Sequence, residues 1–401
     1  MKIKIKWIMI VFIFLMIVIS VLLNIRLKKT AVSFNNLDQQ MQFLILNLVQ
    51  KDTSVKNCVL SVKTGDDSFS WSGAAGISNQ NSQIPMKKDT PIYIASITKL
   101  YTSTVIMRLY EKGLLSFDDP MAKYLPEELI HAIHVYNTKD YTHEITIGQL
   151  LSHTSGIADY YEGVGRDGKS LFEIFLEEPE RKWTINETIE RAQNDLKPNF
   201  PPGTNASYSD TNFQLLGKII EAITGKPLHV VYDELIFHPL NLTHTWLAVY
   251  SEPQNIQIAV PADVFDDDRN ITKIRSNGSY WADGGIVSTT EEMIVFLKAL
   301  KEGRIVSENT LKLMHNWHKI QFPFQYGYGT MYFKLPSFMN KVMGVSPLWG
   351  HSGSTGSFLY YSEDFDLYFA GTINQTKLKL KPFQLMGSVI KAIQGKKESL
   401  K

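Results

Sequence analysis

The chain has 401 residues, 44% of them hydrophobic and 20% charged, a make-up that excludes a disordered or low-complexity protein. Its 41 basic and 40 acidic residues nearly cancel, but Lys2, Lys4, Lys6, Arg26, Lys28 and Lys29 stand in the first 29 residues, where there is no acid; without those six, 35 basic face 40 acidic residues, which argues against a nucleic-acid partner. A single cysteine, Cys58, excludes an intrachain disulfide and a cysteine-built zinc site, and reads as a buried structural thiol.

Trp7 to Leu23 is an uncharged apolar run flanked by basic residues. It is short for a membrane-spanning helix and long for the core of a signal peptide. No small-x-small pair follows it directly; Ala31-Val32-Ser33 lies beyond Lys28 and Lys29. Residues 1–29 are therefore read as an N-terminal membrane anchor, with a cleaved signal as the alternative. The single span and its signal-like position put the rest of the chain, 30–401, outside the cytoplasm, either anchored as a single-pass protein at the cell membrane or secreted.

Phe34 to Gln50 carries apolar residues at helical spacing (Leu37, Met41, Leu44, Ile45, Leu48) and predicts a helix. Lys56–Lys63, Gly65-Asp66-Asp67 and Ser68–Trp71 predict a hairpin. A loop with Gly73 and Gly76 then leads to a helix that carries Ser96 and closes at Gly113. Phe117–Pro120 reads as a turn, Ile145–Leu151 as a short helix, and Asp159–Lys169 as a loop. Helices are predicted at Ile185–Ala192, Phe213–Ile223 and Thr289–Leu300, the last two followed by Gly225 and Gly303. Near the C-terminus, Tyr326–Leu335, Gly356–Ser362 and Asp366–Thr372 are rich in aromatic and β-branched residues, as strands are, and Pro382–Gln394 predicts a closing helix. The pattern of strands, helices, then strands predicts an α+β fold. An antiparallel sheet is built from both chain ends and flanked by terminal helices, with a mainly helical lobe inserted at roughly 115–285.

Three stretches carry the chemistry. Ser96-Ile97-Thr98-Lys99 puts a hydroxyl in the first turn of a helix and an amine one turn along on the same face. Serine needs a neighbour to take its proton before it can attack. A lysine serves only if burial and nearby cations lower its pKa. A capping serine followed by a surface lysine explains the same four residues. Tyr208-Ser209-Asp210 follows the Pro201-Pro202-Gly203 break, where a tyrosine could reach a cleft or simply pack before a capping aspartate. Gly350-His351-Ser352-Gly353-Ser354-Thr355-Gly356 is read as the start of a strand whose small residues let a substrate pair with its edge, or as a glycine-rich turn. His131 and His134 lack a glutamate and a third ligand in sequence, so no metal is expected there. His153 is read as structural. No cofactor is expected.

Taken together and in this order, the three motifs resemble those of the serine β-lactamase and DD-peptidase superfamily, most closely the branch of class C β-lactamases, D-aminopeptidases and DD-carboxypeptidases. The phrases Leu150–Ile157, Leu215–Glu221 and Gly284–Thr289 agree, and the resemblance covers about residues 55 to 395. It implies that Ser96 is the acylated nucleophile, Lys99 holds or accepts its proton, and Tyr208, between Lys99 and His351, is the general base and acid, its pKa lowered, or its proton shared, by the two cations beside it. It implies an oxyanion hole from the N–H groups of Ser96 and Ser354, with Asp210, Ser352, Gly353 and Ser354 binding substrate. Asp210 departs from the usual Asn and His351 from the usual Lys. An ionised Asp cannot donate to a carbonyl, and a His carries partial charge near neutral pH, so both point away from an efficient β-lactamase. The resemblance further implies a serine hydrolase acting through an acyl-enzyme on D-amino-acid-containing peptides or esters, with peptidoglycan or D-amino-acyl partners and DD-carboxypeptidase or D-peptidase chemistry. The alternatives are an esterase or β-lactamase of the same fold, or a penicillin-binding or wall-binding protein with little turnover.

Overall fold

The computed structural model describes residues 36–258, 260–336, 339–340 and 346–399. The predicted anchor, residues 1–29 with its Trp7–Leu23 run, lies outside the described residues. Among the described residues no helix is long and apolar enough to cross a membrane.

Nine strands form one sheet, antiparallel throughout: β1 Asn57–Thr64, β2 Ser70–Asn79, β3 Ile84–Pro85, β4 His318–Lys319, β5 Phe324–Tyr326, β6 Met331–Phe333, β7 Leu348–Ser352, β8 Phe358–Ser362 and β9 Leu367–Thr372. Their spatial order is β4-β5-β6-β7-β8-β9-β1-β2-β3. The two ends of the chain meet where β1 pairs β9, from Val59 opposite Thr372 to Thr64 opposite Leu367. The expected α+β architecture, with its sheet drawn from both ends, is the one observed.

Both faces of the sheet are buried, which the period of two along β1 explains. Cys58, Leu60 and Val62 face helices α1 (Leu37–Lys51) and α7 (Lys381–Ser399), sharing a core with Met41, Ile45, Met386 and Ile390. Burial pushes the Cys58 thiol up to about 12, as expected of an inert structural cysteine. Val59 faces the other way, toward α6 (Thr290–Lys301) and the larger core, and the neighbouring Ser61 hydroxyl bonds Thr290 Oγ1 at 2.7 Å. Helix α1 starts where the Asn36 side chain accepts from Gln39 N–H at 2.9 Å. It is held on the sheet by Leu37, Met41 and Ile45, each worth roughly 1.5–3 kcal/mol of burial.

The chain between the two sets of strands holds α2 (Thr98–Glu111), α3 (Ile147–Leu151), α4 (Leu171–Glu177) and α5 (Asp210–Thr224). It also holds a small antiparallel sheet of Ile92–Tyr93, Ile286–Ser288 and Trp246–Leu247 that carries the chain into and out of this region.

Three local expectations differ from the structure, two of them because a glycine serves a close approach rather than a loop. Gly73 and Gly76 lie inside β2, opposite Leu60 and Asn57. A Cβ on Gly73 would come within 2.6 Å of Gln42 Oε1, so the missing side chain is what lets α1 lie against the strand. The stretch Tyr326–Leu335 is not one strand but β5 and β6 with a turn at Gly327–Gly329. Gly329 has φ +70°, and a Cβ there would lie 1.8 Å from Ser103 Oγ on α2. Gly350-His351-Ser352 ends β7 rather than starting a strand, and the turn Gly353–Gly356 leads into β8.

Candidate active site

Ser96 sits in a tight turn, Ala95–Ile97, that runs straight into α2. Ala95 has φ +48°, a left-handed conformation that costs a residue with a Cβ roughly 1–3 kcal/mol and needs surrounding structure to hold it. That structure comes from two distant segments. Ile94 N–H donates to Ile286 O at 3.1 Å, and Ile286 N–H to Thr98 Oγ1 at 3.0 Å. From the turn after β7, Ser357 Oγ donates to Ile94 O at 2.8 Å and Thr355 Oγ1 to Tyr93 O at 3.1 Å. Gly353 lies so close beneath this turn that a Cβ would sit 2.5 Å from Ile94 O. The glycine of the third motif therefore seats the serine of the first.

Lys99 has no solvent exposure, and its ammonium spends all three of its donors. One goes to Ser96 Oγ at 3.2 Å, one to the carbonyl of Asp283 at 2.7 Å, and one to Asp210 Oδ1 in a short ion pair. An isolated buried ammonium would cost several kcal/mol, so these partners decide its state. Burial pushes its pKa down; the Asp210 and Asp283 carboxylates push it up by more, and the lysine is held above its ordinary value. The sequence requirement that Lys99 be brought toward neutrality is not met, because the cations it needed are absent and two carboxylates stand in their place.

Asp210 opens α5, where the helix dipole also favours an anion. Tyr208 lies just before that helix and is fixed by His153. The two rings meet at a tilt of 39° with their centres 4.3 Å apart, and His153 Nδ1 accepts from Ser209 N–H and Asn212 Nδ2, both at 3.2 Å. His153 itself holds a left-handed φ of +56°. Lys99 Nζ lies 5.1 Å from the Tyr208 ring centre. Burial and then Asp210 push the Tyr208 phenol well above its usual value, and a hydrogen bond with Ser96 pulls it back only in part. The expected lowering of this phenol by two flanking cations is corrected: one cation is present, and Asp210 outweighs it.

The second expected cation, His351, is neutral. It is fully buried, its Nδ1–H donates to Ser352 O at 2.7 Å, and its Nε2 accepts from the Tyr326 hydroxyl at 2.9 Å. Burial, and then Lys99, push its pKa to about 3. The partial charge expected of His351 near neutral pH is thus corrected, as is any grip on a substrate carboxylate. Its ring instead holds Tyr326, which packs edge-on to Tyr208 at 5.7 Å.

A pocket opens beside Ser96. Its walls are Tyr93, Tyr160, Tyr161, Phe172, Phe175 and Tyr280, and Asp210, Asp283, Ser354 and Thr355 reach it. The loop after Asp159 and the segment before Tyr280 both contribute. Ser352 does not line this pocket; its hydroxyl bonds Tyr360 OH at 2.7 Å.

Sequence reasoning missed Tyr326, Asp159 and Asp283. Asp283 accepts from Tyr160 OH at 2.6 Å, and burial raises its pKa to about 7. Asp159 Oδ1 accepts from Asp210 N–H at 3.2 Å, and burial, then Asp210, push it well up. Neither belongs to a motif; Asp283 is revealed only by its approach to Lys99, and Asp159 only by its contact with Asp210. His131 is exposed beside Glu127, while His134 is buried with Nε2 on Phe200 O at 2.9 Å. Among the described residues no group of three or more His, Cys, Asp or Glu is placed to hold a metal.

Comparison with known proteins fits this geometry. Penicillin-binding protein 4 of Amycolatopsis lactamdurans is 27% identical over 249 residues, 59% of this chain and 58% of its own length. Esterase EstB of Burkholderia gladioli is 29% identical over 197 residues, 47% of this chain and 45% of its own. The chain thus spans about half the length of these curated relatives. The crystal structure of a D-stereospecific amidohydrolase from a Streptomyces species superposes with a TM-score of 0.67 at 27% identity, covering 84% of this chain and 95% of that one. A sequence model of the beta-lactamase family matches residues 60–384, and the chain belongs to that family, a family of serine hydrolases of β-lactamase fold.

Proposed function

We infer that this protein is a serine hydrolase that forms an acyl-enzyme at Ser96 and acts on D-amino-acid-containing peptides, amides or esters. The observation that carries the reading is the Ser96 hydroxyl, 3.2 Å from a fully buried lysine ammonium at the edge of an open pocket. The similarity to a D-stereospecific amidohydrolase over most of the chain supports the D configuration.

In this reading Ser96 Oγ attacks the carbonyl carbon. Its proton passes to Lys99 Nζ as Lys99 passes one to Asp210, so Lys99 stays an ammonium, Asp210 becomes a neutral acid, and the negative charge moves to the carbonyl oxygen. The backbone N–H groups of Ser96 and Ser354 receive that oxygen, a contribution typically worth about 2.7–4 kcal/mol per donor. The carbon–nitrogen or carbon–oxygen bond then breaks. The proton returns from Asp210 through Lys99 and the Tyr208 hydroxyl to the departing atom. Tyr208 serves as a conduit because its raised pKa disfavours a standing phenolate. Water repeats the sequence on the acyl-enzyme. His351 acts through Tyr326 rather than on substrate.

The apolar run Trp7–Leu23 supports a membrane-anchored enzyme, with 30–401 as one catalytic domain outside the cytoplasm and a lobe inserted at about 115–285. Carbonate extraction of membranes tests the anchor: a chain released into the supernatant at full mass has none.

Intact mass spectrometry with a labelled penicillin or a fluorophosphonate tests the chemistry. One adduct per chain, absent in Ser96→Ala, is expected, with thermal unfolding of that variant unchanged. Labelling that persists in Ser96→Ala means another residue is attacked.

A further inference from the structure

Asp283 acts on Lys99 twice. Its main-chain oxygen accepts from Lys99 Nζ at 2.7 Å, and its carboxylate favours the ammonium through space. The carboxyl is itself held at both oxygens. Oδ2 accepts from Tyr160 OH at 2.6 Å, and Oδ1 from Trp281 N–H at 3.3 Å.

Tyr160 is fixed in turn by Gln214, which lies one helical turn after Asp210 on α5. Gln214 Nε2 donates to Tyr160 OH at 3.3 Å and to Ser279 O at 2.8 Å, while Gln214 Oε1 is buried without a partner among the described residues. A carbonyl oxygen only accepts, so Ser279 O fixes which end of the amide faces Tyr160. The phenol has a single hydrogen. With Gln214 donating to its oxygen, that hydrogen goes to Asp283. Both Asp283 oxygens are then acceptors, and the chain of bonds is complete only for the carboxylate. A proton on Oδ2 competes with the Tyr160 hydrogen already there.

The phenols facing Asp283 (Tyr160, Tyr208, Tyr232, Tyr250 and Tyr280) are all held above their usual value by burial and stay neutral. Lys99 and Asp210 are the charged groups that face it. Burial raises the Asp283 carboxyl to about 7 against these hydrogen bonds, so the carboxylate is lost within the range of an ordinary assay.

Two carboxylates beside one lysine have different parts to play. In the acyl-enzyme reading, on which this inference rests, one proton leaves Ser96 Oγ for Lys99 and one leaves Lys99 for Asp210. Asp210 is then neutral, and Asp283 is the anion still facing the ammonium. We propose that Asp283 is a positioning residue that keeps Lys99 charged and in place while Asp210 carries the proton, held ionised for that role by the Gln214–Tyr160–Asp283 chain.

The test follows p-nitrophenyl acetate hydrolysis and fluorophosphonate labelling of Ser96 from pH 5 to 9 in the wild type, Asp283→Asn and Tyr160→Phe, with infrared spectra of each. Both wild-type rates are expected to fall about tenfold per unit on the acid side of neutrality, following one ionisation. In Tyr160→Phe this limb should move up by about one unit, since a hydrogen bond to the charged form is gone. In Asp283→Asn the limb should vanish, with kcat about tenfold below wild type at pH 8 and KM little changed. A protonated-carboxyl band should grow in between pH 8 and pH 5 in the wild type and be missing from Asp283→Asn. An Asp283→Asn profile that keeps the wild-type limb overturns the proposal, as does a wild type in which that band does not titrate. Absence of labelling at Ser96 at every pH instead removes the acyl-enzyme reading, and this role with it.

Discussion

Lys99 and Asp210 form a direct ion pair in which the lysine side chain has no solvent exposure and the aspartate only 10%. Water cannot screen such a pair, so each partner sets the ionisation of the other. Removing one partner of a buried pair costs about 3–5 kcal/mol, because a charge is left behind.

Asp210→Asn is therefore expected to destabilise the chain by about 3–5 kcal/mol at pH 7, and Lys99→Met by a similar amount. The double variant should recover most of the loss, since it buries no charge. Urea unfolding of all four chains measures the coupling. Strictly additive losses would show that the pair is not a unit.

Asp283 titrates at about 7 in the folded chain, above its ordinary 3.8. A carboxyl whose folded pKa is raised favours folding at low pH, and that contribution is lost as pH rises from about 4 to about 7. Asp283→Asn, which can still accept from Tyr160 OH, should thus raise the melting temperature more at pH 8 than at pH 5. The full linkage is of order 4 kcal/mol. An equal change at both pH values contradicts the assignment.

His351 works in the opposite direction. Its folded pKa of about 3 lies below the ordinary 6.5, so its contribution is complete above 6.5 and is lost as pH falls toward 3. Nitrogen-15 NMR of the imidazole should report a neutral ring with the proton on Nδ1 throughout pH 5 to 8. His351→Gln should soften acid unfolding between about pH 6 and 4. A midpoint near 6.5 in the wild-type spectrum would mean the ring is charged in use.

His153 is fully buried, which pushes its pKa well down, and it does not line the pocket, yet it holds Tyr208 by ring and by the loop after it. His153→Ala is expected to lower kcat/KM about a hundredfold, the scale of a 1 Å misplacement, with KM little changed and about 2 kcal/mol lost in stability. His153→Asn, which tolerates the left-handed backbone and keeps an acceptor, should restore part of kcat. A loss confined to stability in both variants would reduce His153 to a packing residue.

Much was legible in the order of residues because it depends on near neighbours. Apolar spacing placed α1, α5 and α6 within a few residues, and the turn residues Gly65-Asp66-Asp67 marked the hairpin of β1 and β2. The three motifs came in the right order and converge on one pocket edge. Glycines misled where they serve contact across the fold, as Gly73 does against Gln42 and Gly329 against Ser103. A chain read one residue at a time does not show what will press against it.

The charge state of the site was beyond such reading. Lys99 stays an ammonium because Asp283, 184 residues away, and Asp210 converge on it. His351 is neutral because the sheet buries it against Tyr326. The residue types at the site follow from the sequence alone. Which of them carries charge follows from burial and from partners brought together only by the fold, since ionisation in a closed site answers to the nearest few ångströms and not to the nearest residues in the chain.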